Sequence, residues 1–307
     1  MYILRKWYLD VLTAEGIYIF LYFAYVRVAG YTMRSLVLHV APGGSEDSLT
    51  IPLRVRSHEE RSGGEREIVV SLHSGAIRIG REGCHVSATN SLASVDLDYT
   101  PITQGKYRAV RIEGQHGGHI LWEPIGVRYR VEGRVLLNGS RIDIHESAGY
   151  ADFLESTILP PRVPVRRLFW GRAHCPEGDL AFMHASGVAG GPSWSRLILH
   201  RQGRMEESDS VVITDPSGHW SGPAAMGIGH YVVRAPLTSG EFQMTVRHQK
   251  TVQKGSFVDQ QRICLPLLGS LVKKVTRDPG GTKFLSCVDV PAWGATDLLM
   301  IAEEVHL

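Results

Sequence analysis

The segment from Gly16 to Gly44 is the feature that most limits how this chain can fold. Its charge-free core, Ile17–Val26, is ten residues long, whereas a membrane-spanning helix needs roughly 20 consecutive apolar residues. Most of these residues are aromatic, β-branched or leucine, which is typical of a packed sheet. Gly30 interrupts the run, and a second apolar run follows from Ser35. The segment therefore predicts two antiparallel strands of a buried sheet.

Short β-rich runs continue along the rest of the chain, separated by Gly, Pro, Asn or Asp. Asn138-Gly139 is typical of a two-residue hairpin turn, here between "RVLL" and "SRIDI". The one helix candidate is "TDLLMIAEEV", at 296–305. Many short strands at regular spacing predict an all-β sandwich or barrel.

Two blocks near the start of the chain recur in its second half. Glu15-Gly16 and Glu177-Gly178 lie 162 residues apart, and "LVLH" at 36–39 matches "LILH" at 197–200 with an offset of 161. Nearly equal offsets in two blocks indicate a duplication. Chance similarity between β-rich segments is the alternative.

The duplication predicts two related β-barrel domains. We place them at residues 1–146 and 165–307, joined by a linker at 147–164. His39 and His200 would then take equivalent positions at strand ends, which favours a structural role for both.

Composition argues against several classes of partner. The chain has 33 basic and 31 acidic side chains and a net charge of +2, so nothing indicates the concentrated basic face of a nucleic-acid binder. The acidic residues before the first apolar run and the arginines after it are unlike a secretory signal, and we expect a cytoplasmic protein without an integral membrane segment.

Metal and nucleotide sites also lack sequence support. The four cysteines lie far apart without a CxxC pair, which indicates neither a disulfide framework nor a zinc site; they are Cys84, Cys175, Cys264 and Cys287. His116 and His119, in "GQHGGHI", have no third ligand nearby, so an exposed loop is favoured over a metal pair. GxGxxG, P-loop and GxSxG motifs are absent, although spacing leaves a Ser-His-Asp triad open.

Three stretches resemble the hydroxyneurosporene synthase (carotenoid 1,2-hydratase) family. The opening "KWYLDVLTAEGIYIFLYF" carries the aromatic pair and acidic residue before an apolar strand. Gly149, Tyr150 and Asp152 match the mid-chain signature, and "FWGRAH" at 169–174 matches the strand that follows. The superfamily includes carotenoid hydratases, tocopherol cyclases, and cyclases or Diels–Alderases of polyketide and terpenoid pathways.

This resemblance implies two lipocalin-like antiparallel β-barrel domains side by side. It also implies chemistry on long unsaturated substrates without a cofactor. Hydratases and tocopherol cyclases tend to place Asn-Trp-Gly after the mid-chain signature, whereas this chain has "GYADFLESTILPP". The departure disfavours carotenoid hydration and favours the broader cyclase group.

Alternation along Ile17–Ala29 makes this strand a candidate wall for a ligand pocket. Both of its faces are apolar, so we expect burial on both sides, with core packing as the alternative role. Its tyrosines need partners for their hydroxyl groups and suit a pocket for an unsaturated ligand. The expected substrate-binding residues on this strand are Tyr18, Tyr22, Tyr25 and Arg27. In the rest of the chain they are Tyr150, Trp170 and Trp194.

The catalytic candidates follow from the family resemblance. Asp152 or Glu155 would be a general acid whose pKa is raised by apolar surroundings. His174 would be a further proton donor, on the same strand face as Trp170 and Arg172. Turn capping for Asp152, solvation for Glu155 and core packing for Trp170 are the alternatives.

Three functions follow from these features. The first is a cofactor-independent cyclase or isomerase, including a Diels–Alderase, in polyketide, terpenoid or antibiotic biosynthesis. The second is a hydratase that adds water to an isoprenoid double bond, and the third is a protein that only binds a lipophilic ligand. Each would take a hydrophobic small molecule, need no metal, flavin or nicotinamide, and act as a monomer or homodimer.

Overall fold

The computed structural model describes residues 1–41, 48–63, 65–103, 105–188, 191–214, 229–256 and 280–306. Nearly all regular structure in these ranges is β-strand. The only helices among them are two 3-10 turns, at Pro160–Arg162 and Pro291–Trp293, and neither could cross a bilayer. The predicted all-β class is confirmed.

Two compact units divide the chain between Leu159 and Pro160. The strands of the first unit are β1 Tyr2–Leu12, β2 Tyr18–Val28, β3 Tyr31–Ala41, β4 Leu49–Leu53, β5 Val55–Gly63, β6 Glu65–Leu72, β7 Gly75–Gly80, β8 Gly83–Thr89, β9 Ala93–Pro101, β10 Val110–Glu113, β11 His119–Leu137 and β12 Ser140–Ser156. They form one antiparallel sheet in the order β4-β3-β2-β1-β12-β11-β9-β8-β7-β6-β5, with β10 paired to β11. The sheet curls into a near-barrel, so that β3 approaches β5.

The second unit repeats this plan with fewer strands in the described ranges. They are β13 Val165–Cys175, β14 Gly178–Gly187, β15 Trp194–Arg201, β16 Arg204–Ser208, β17 Val212–Thr214, β18 His230–Leu237, β19 Gly240–Ser256, β20 Gly280–Val290 and β21 Ala295–His306. Their order is β16-β15-β14-β13-β21-β20-β19-β18-β17. In both units the first strand pairs with the second and with the last.

Each unit has its own apolar core inside the curled sheet. In the first unit the core includes Trp7, Leu9, Ile19, Leu21, Phe23, Ala151 and Phe153. In the second it includes Phe169, Leu180, Phe182, Val233, Met244, Met300 and Ala302. Alternate residues of each strand point inward, as the pleat of a strand requires.

Both hairpin predictions are confirmed. Strands β2 and β3 pair along their length and turn through Ala29-Gly30. Asn138-Gly139 joins β11 to β12, and both residues have positive φ angles of 48° and 84°. Such angles are those of the two-residue turns that match strand twist.

The thiols of Cys84, Cys175 and Cys287 are free, while Cys264 lies outside the described residues.

The helix candidate at 296–305 is wrong. This segment belongs to β21, which pairs with both β13 and β20. Met300 and Ala302 point into the core of the second unit. Two partner strands and a core on one face stabilise the extended conformation, which outweighs the weak helical preference of the sequence.

Two further expectations change in detail. Strand β12 continues through Ser156, so residues 147–156 of the expected linker lie in a strand. His39 pairs with Phe20, whereas His200 pairs with Asp179. Both histidine side chains point away from the core of their own unit, because the neighbours Leu38 and Val40 of His39, and Leu199 of His200, belong to the cores.

A glycine in β11 provides a test of the first sheet. Gly133 has a φ of 135°, and a Cβ there would collide with the backbone carbonyl of Asp96. Gly133→Ala should therefore destabilise the first unit by about 3 kcal/mol or more, from backbone strain and steric overlap together. Gly139→Ala is the control, since its φ is 84° but nothing lies within 4 Å of the added methyl group; it should cost about 1–2 kcal/mol. Urea unfolding followed by circular dichroism measures both, and equal losses would contradict the packing described.

Candidate functional site

Strands β1, β2 and β12 of the first unit are buried on both faces over Trp7–Leu12, Tyr18–Ala24 and Gly149–Phe153. The side chains of these stretches that point away from the core are at most 8% exposed. We call this set the aromatic face; it comprises Tyr8, Asp10, Tyr18, Phe20, Tyr22, Tyr150 and Asp152. The expectation that β2 is buried on both sides is confirmed for Tyr18–Ala24.

Strand register brings the aromatic face together. Tyr8 lies opposite Tyr22 on one side and Asp152 on the other. Asp10, two residues further along, lies opposite Phe20 and Tyr150. Side chains on one face of adjacent antiparallel strands lie about 4.5–5.5 Å apart at Cβ. Two carboxyl groups therefore stand among aromatic rings on neighbouring strands.

The first carboxyl group is held by two phenols. The Tyr8 hydroxyl donates to Asp10 Oδ2 at 2.8 Å, and the Tyr18 hydroxyl donates to the same oxygen at 3.4 Å. The two hydroxyl groups also contact each other. Asp10, Tyr8 and Tyr18 thus form a hydrogen-bonded chain, along which a proton can pass between a carboxyl and a phenol.

The second carboxyl group is held by an indole and a phenol. Trp122 Nε1 and the Tyr150 hydroxyl each donate to Asp152 Oδ2 at 3.0 Å. Trp122 lies on β11 and is itself buried. Burying a carboxyl group requires such partners, and these two fix the orientation of Asp152.

Aromatic rings surround both carboxyl groups. The Phe20 ring lies 5.3 Å from Tyr18, 6.0 Å from Tyr22 and 4.6 Å from the His39 ring between centroids. Lys6 Nζ lies 5.0 Å from the centre of the Tyr22 ring. The aromatic face can thus offer flat apolar walls, phenolic hydroxyl groups and a cation to one ligand.

The structure brings together four of the predicted site residues, namely Tyr18, Tyr22, Tyr150 and Asp152. Tyr25 instead packs beside the core, with its ring 5.2 Å from His58. Arg27 is exposed near the end of β2. Tyr25 and Arg27 are therefore not part of the aromatic face.

Glu155 does not have the environment of a general acid. Its carboxylate accepts from Arg5 Nε at 2.8 Å and lies 3.0 Å from His119 Nε2. Burial favours a higher pKa, but the hydrogen bonds with Arg5 and His119 outweigh it and hold the pKa of Glu155 below its usual value. The expected raised pKa is wrong for this residue. His119, expected in an exposed loop, begins β11 and joins this ion-pair network.

The predicted residues of the second unit lie on the face of its sheet away from its own core. The Trp170 ring has Lys283 Nζ at 5.4 Å from its centre, and Lys283 forms an ion pair with Glu303. Arg172 is fully buried. His174 Nδ1 lies 3.1 Å from Asp179 Oδ1, and both side chains are buried. Trp194 is half-buried at the start of β15.

Metal ligands do not converge in the parts of the chain that the structure describes. Those residues contain no group of three or more His, Cys, Asp or Glu side chains arranged to hold an ion.

Sequence reasoning overlooked Tyr8, Asp10 and Trp122. A usable signal was present in "KWYLD", because alternation places Tyr8 and Asp10 on one face and Trp7 and Leu9 on the other. Trp122 had no such signal, since its contact with Asp152 joins two distant parts of the sequence.

Comparisons with known proteins give a consistent fold. No family model matches the sequence, and no curated protein matches it. Among solved structures, CghA with Sch210972 aligns with a TM-score of 0.66 at 10% identity, over 99% of this chain and 88% of that chain. An AttH-like protein from Nitrosomonas europaea aligns at 0.57 and 12% identity, over 98% and 91%. Kievitone hydratase from Nectria haematococca aligns at 0.54 and 10% identity, over 99% and 88%.

The chain has the fold of these proteins. At 10–12% identity these likenesses show a shared fold, and the two-unit β fold that the resemblance implied is confirmed. Function depends on the site that a fold carries, and identities this low do not transfer it.

The Glu155 network predicts a specific dependence of stability on pH. Because the folded-state pKa is lowered, the charged carboxylate stabilises the fold above about pH 4.5, and this contribution disappears as the pH falls through the lower folded-state pKa. Glu155→Gln should cost about 2 kcal/mol at pH 7, the scale of hydrogen bonds to a charged group, and progressively less on acidification.

Glu132→Gln is the control, because its pair with Arg130 is exposed at 3.5 Å and should contribute little. Urea unfolding at a series of pH values measures both variants. A difference between wild type and Glu155→Gln that persisted unchanged at pH 3 would contradict this assignment.

Proposed function

We propose that this protein is a cofactor-independent cyclase or isomerase, pericyclic or acid-assisted, that acts on a hydrophobic polyene, polyketide or terpenoid intermediate in natural-product biosynthesis. The observation that carries the proposal is the aromatic face. It combines solvent-shielded aromatic rings with two buried carboxyl groups that phenols and an indole hold in place.

The rings supply the first requirement of such a reaction, which is a fixed substrate conformation. A flexible polyene must fold so that its reacting carbons approach each other, and holding it there can supply a large part of the rate enhancement. Tyr18, Phe20 and Tyr22 lie side by side with centroid separations of 5.3 and 6.0 Å. A row of neighbouring aromatic rings of this kind suits an unsaturated chain.

The polar groups supply the second requirement, which is stabilisation of developing charge. Phenols anchored on Asp10 are hydrogen-bonding groups whose positions are set before the substrate arrives, so little reorganisation is needed. The chain of Asp10, Tyr8 and Tyr18 also allows a proton to move toward or away from a substrate oxygen. His174 and Trp170 of the second unit stay candidates for proton donation and substrate contact.

The structural comparisons support this class of reaction without selecting one member. CghA is a natural-product cyclase, and its crystal structure contains Sch210972. Cyclisation of a hydrophobic precursor is consistent with the aromatic rings and buried carboxyl groups of the site, and it requires no redox group.

A hydratase is the second candidate. Kievitone hydratase shares the fold, and Asp152, held by Trp122 and Tyr150, offers a carboxyl group that could protonate a double bond. The sequence after Asp152 lacks the Asn-Trp-Gly of carotenoid hydratases, and for this reason we place hydration second. A protein that only binds a lipophilic ligand is the third. Action in the cytoplasm as a monomer or homodimer belongs to the same proposal.

The mass of the product separates these functions. The gene would be disrupted in its native host, and the compound that accumulates would be incubated with the purified, chelator-dialysed protein. Cyclisation or isomerisation should give a product of unchanged mass and new chromatographic retention, because no atoms are added. A gain of one water, with heavy oxygen incorporated from labelled water, would show a hydratase.

Boiled protein is the control for spontaneous reaction in this experiment. An unchanged compound that binds the protein would indicate a carrier. Turnover that requires an added metal, flavin or nicotinamide would contradict cofactor independence.

A further inference from the structure

One junction in the curled sheet of the first unit has no backbone ladder. Strand β3 pairs with β4 only over Leu36–Val40, so its first half, Tyr31–Ser35, extends beyond that partner. Strand β5 approaches β3, but no ladder joins these two strands in the parts of the chain that the structure describes. We call this junction the seam. Because it has no ladder, side chains must hold β5 against its neighbours there.

The side chain of His58, on β5, makes the central contacts of the seam. It lies opposite Val70, a core residue of β6, and therefore points inward. Arg34 Nε, on β3, donates to His58 Nδ1 at 3.0 Å. The rings of Phe23 and Tyr25 on β2 each lie 5.2 Å from the imidazole ring between centroids. His58 thus connects β5 to two strands with which it shares no ladder.

The bond between Arg34 and His58 requires a neutral imidazole. A guanidinium group can only donate hydrogen bonds, so His58 Nδ1 must accept. A neutral ring with its hydrogen on Nε2 can do this, whereas a protonated ring carries a hydrogen on both nitrogens. Uptake of a proton would therefore replace the bond with two N–H groups that face each other, one on each of two cations.

The charges around His58 do not offset this loss. Burial and the Arg34 guanidinium lower the pKa of His58, Glu60 opposes them, and Arg5 lowers it further. Arg5 lies on β1 and donates to Glu60 Oε2 at 2.6 Å, and the phenol of Tyr25 faces the ring from β2. Glu60 is on β5 itself, two residues from His58. Its attraction for a protonated ring therefore cannot hold β5 against β3.

We propose that the seam is an acid-operated opening, in which uptake of a proton by His58 breaks its bond with Arg34 and separates β5 from β3. The ladder between β5 and β6 does not depend on this proton, and the Arg5–Glu60 ion pair still ties β5 to β1. The movement is therefore confined to the seam. It uncovers the core of the first unit beside Phe23, on the opposite side of the sheet from the aromatic face.

The seam should be closed at neutral pH and open in mild acid. The folded-state pKa of His58 lies below its usual value of 6.5, so the neutral ring stabilises the closed seam above about pH 6.5. This contribution is lost as the pH falls through the folded-state pKa. The contribution of Glu155 is lost only below about pH 4.5, which separates the two effects.

Ring contacts measured by NMR during a pH titration of the full chain test the opening directly. Nuclear Overhauser effects from the His58 ring to the rings of Phe23 and Tyr25 should be present at neutral pH and disappear in step with protonation of His58. Contacts between Trp7 and Phe153, whose centroids lie 4.8 Å apart in the same unit, are the control and should persist. A protonated His58 that keeps its ring contacts, a ring that stays neutral down to about pH 4.5, or loss of the Trp7 contacts at the same pH would each overturn the proposal.

A variant that cannot titrate distinguishes the seam from a general sensitivity to acid. His58→Gln keeps an acceptor for Arg34 but cannot take up a proton. On acidification from neutral pH, a dye that binds exposed apolar surface should gain fluorescence with wild type, with a midpoint below about pH 6.5, and should not with His58→Gln. His85→Gln is the matched control, because His85 lies partly exposed beside Asp98 at 2.7 Å, and it should respond as wild type does. An equal rise with His58→Gln, or no rise with wild type, would overturn the proposal.

Discussion

Hydrogen bonds to two buried carboxyl groups organise the site on the first unit. Asp10 and Asp152 lie on the face of the sheet away from the core, among aromatic side chains. A carboxyl group in such surroundings is costly unless donors satisfy it, and Tyr8, Tyr150 and Trp122 do so. The positions of these rings, and hence the shape of the aromatic wall, are tied to the two acids.

The two units share a strand plan but carry different side chains on it. Tyr8 and Asp152 are neighbours across the first and last strands of the first unit, and Trp170 and Glu303 are neighbours across the first and last strands of the second. Two residues further along the first strand, on the same outward face, the first unit has Asp10 and the second has Arg172. One copy therefore presents an acid with phenolic donors, and the other a buried guanidinium. This difference is compatible with the shared strand order, because the inward-facing residues that form each core are separate from these side chains.

Much of the fold could be predicted from local patterns, and the site only in part. Alternation and turn residues were sufficient for β2, β3 and the Asn138-Gly139 hairpin, and for the shared face of Tyr18 and Tyr22. The last strand was misjudged because its partners lie far away in sequence. Glu155 was misjudged for the same reason, since Arg5 and His119 determine its charge. Neither long-range pairing leaves a mark in a single sequence.

The aromatic face is proposed to hold the substrate in its reactive conformation. The most direct test compares the turnover of Tyr22→Ala with that of Tyr22→Phe on the pathway substrate. The phenylalanine variant keeps the ring, whereas alanine removes the wall between Phe20 and Lys6. Positioning predicts that Tyr22→Ala loses far more turnover than Tyr22→Phe, while Asp152→Asn stays within about tenfold of wild type. A Tyr22→Ala variant with near wild-type turnover, alongside a loss of at least about a hundredfold in Asp152→Asn, would contradict the account.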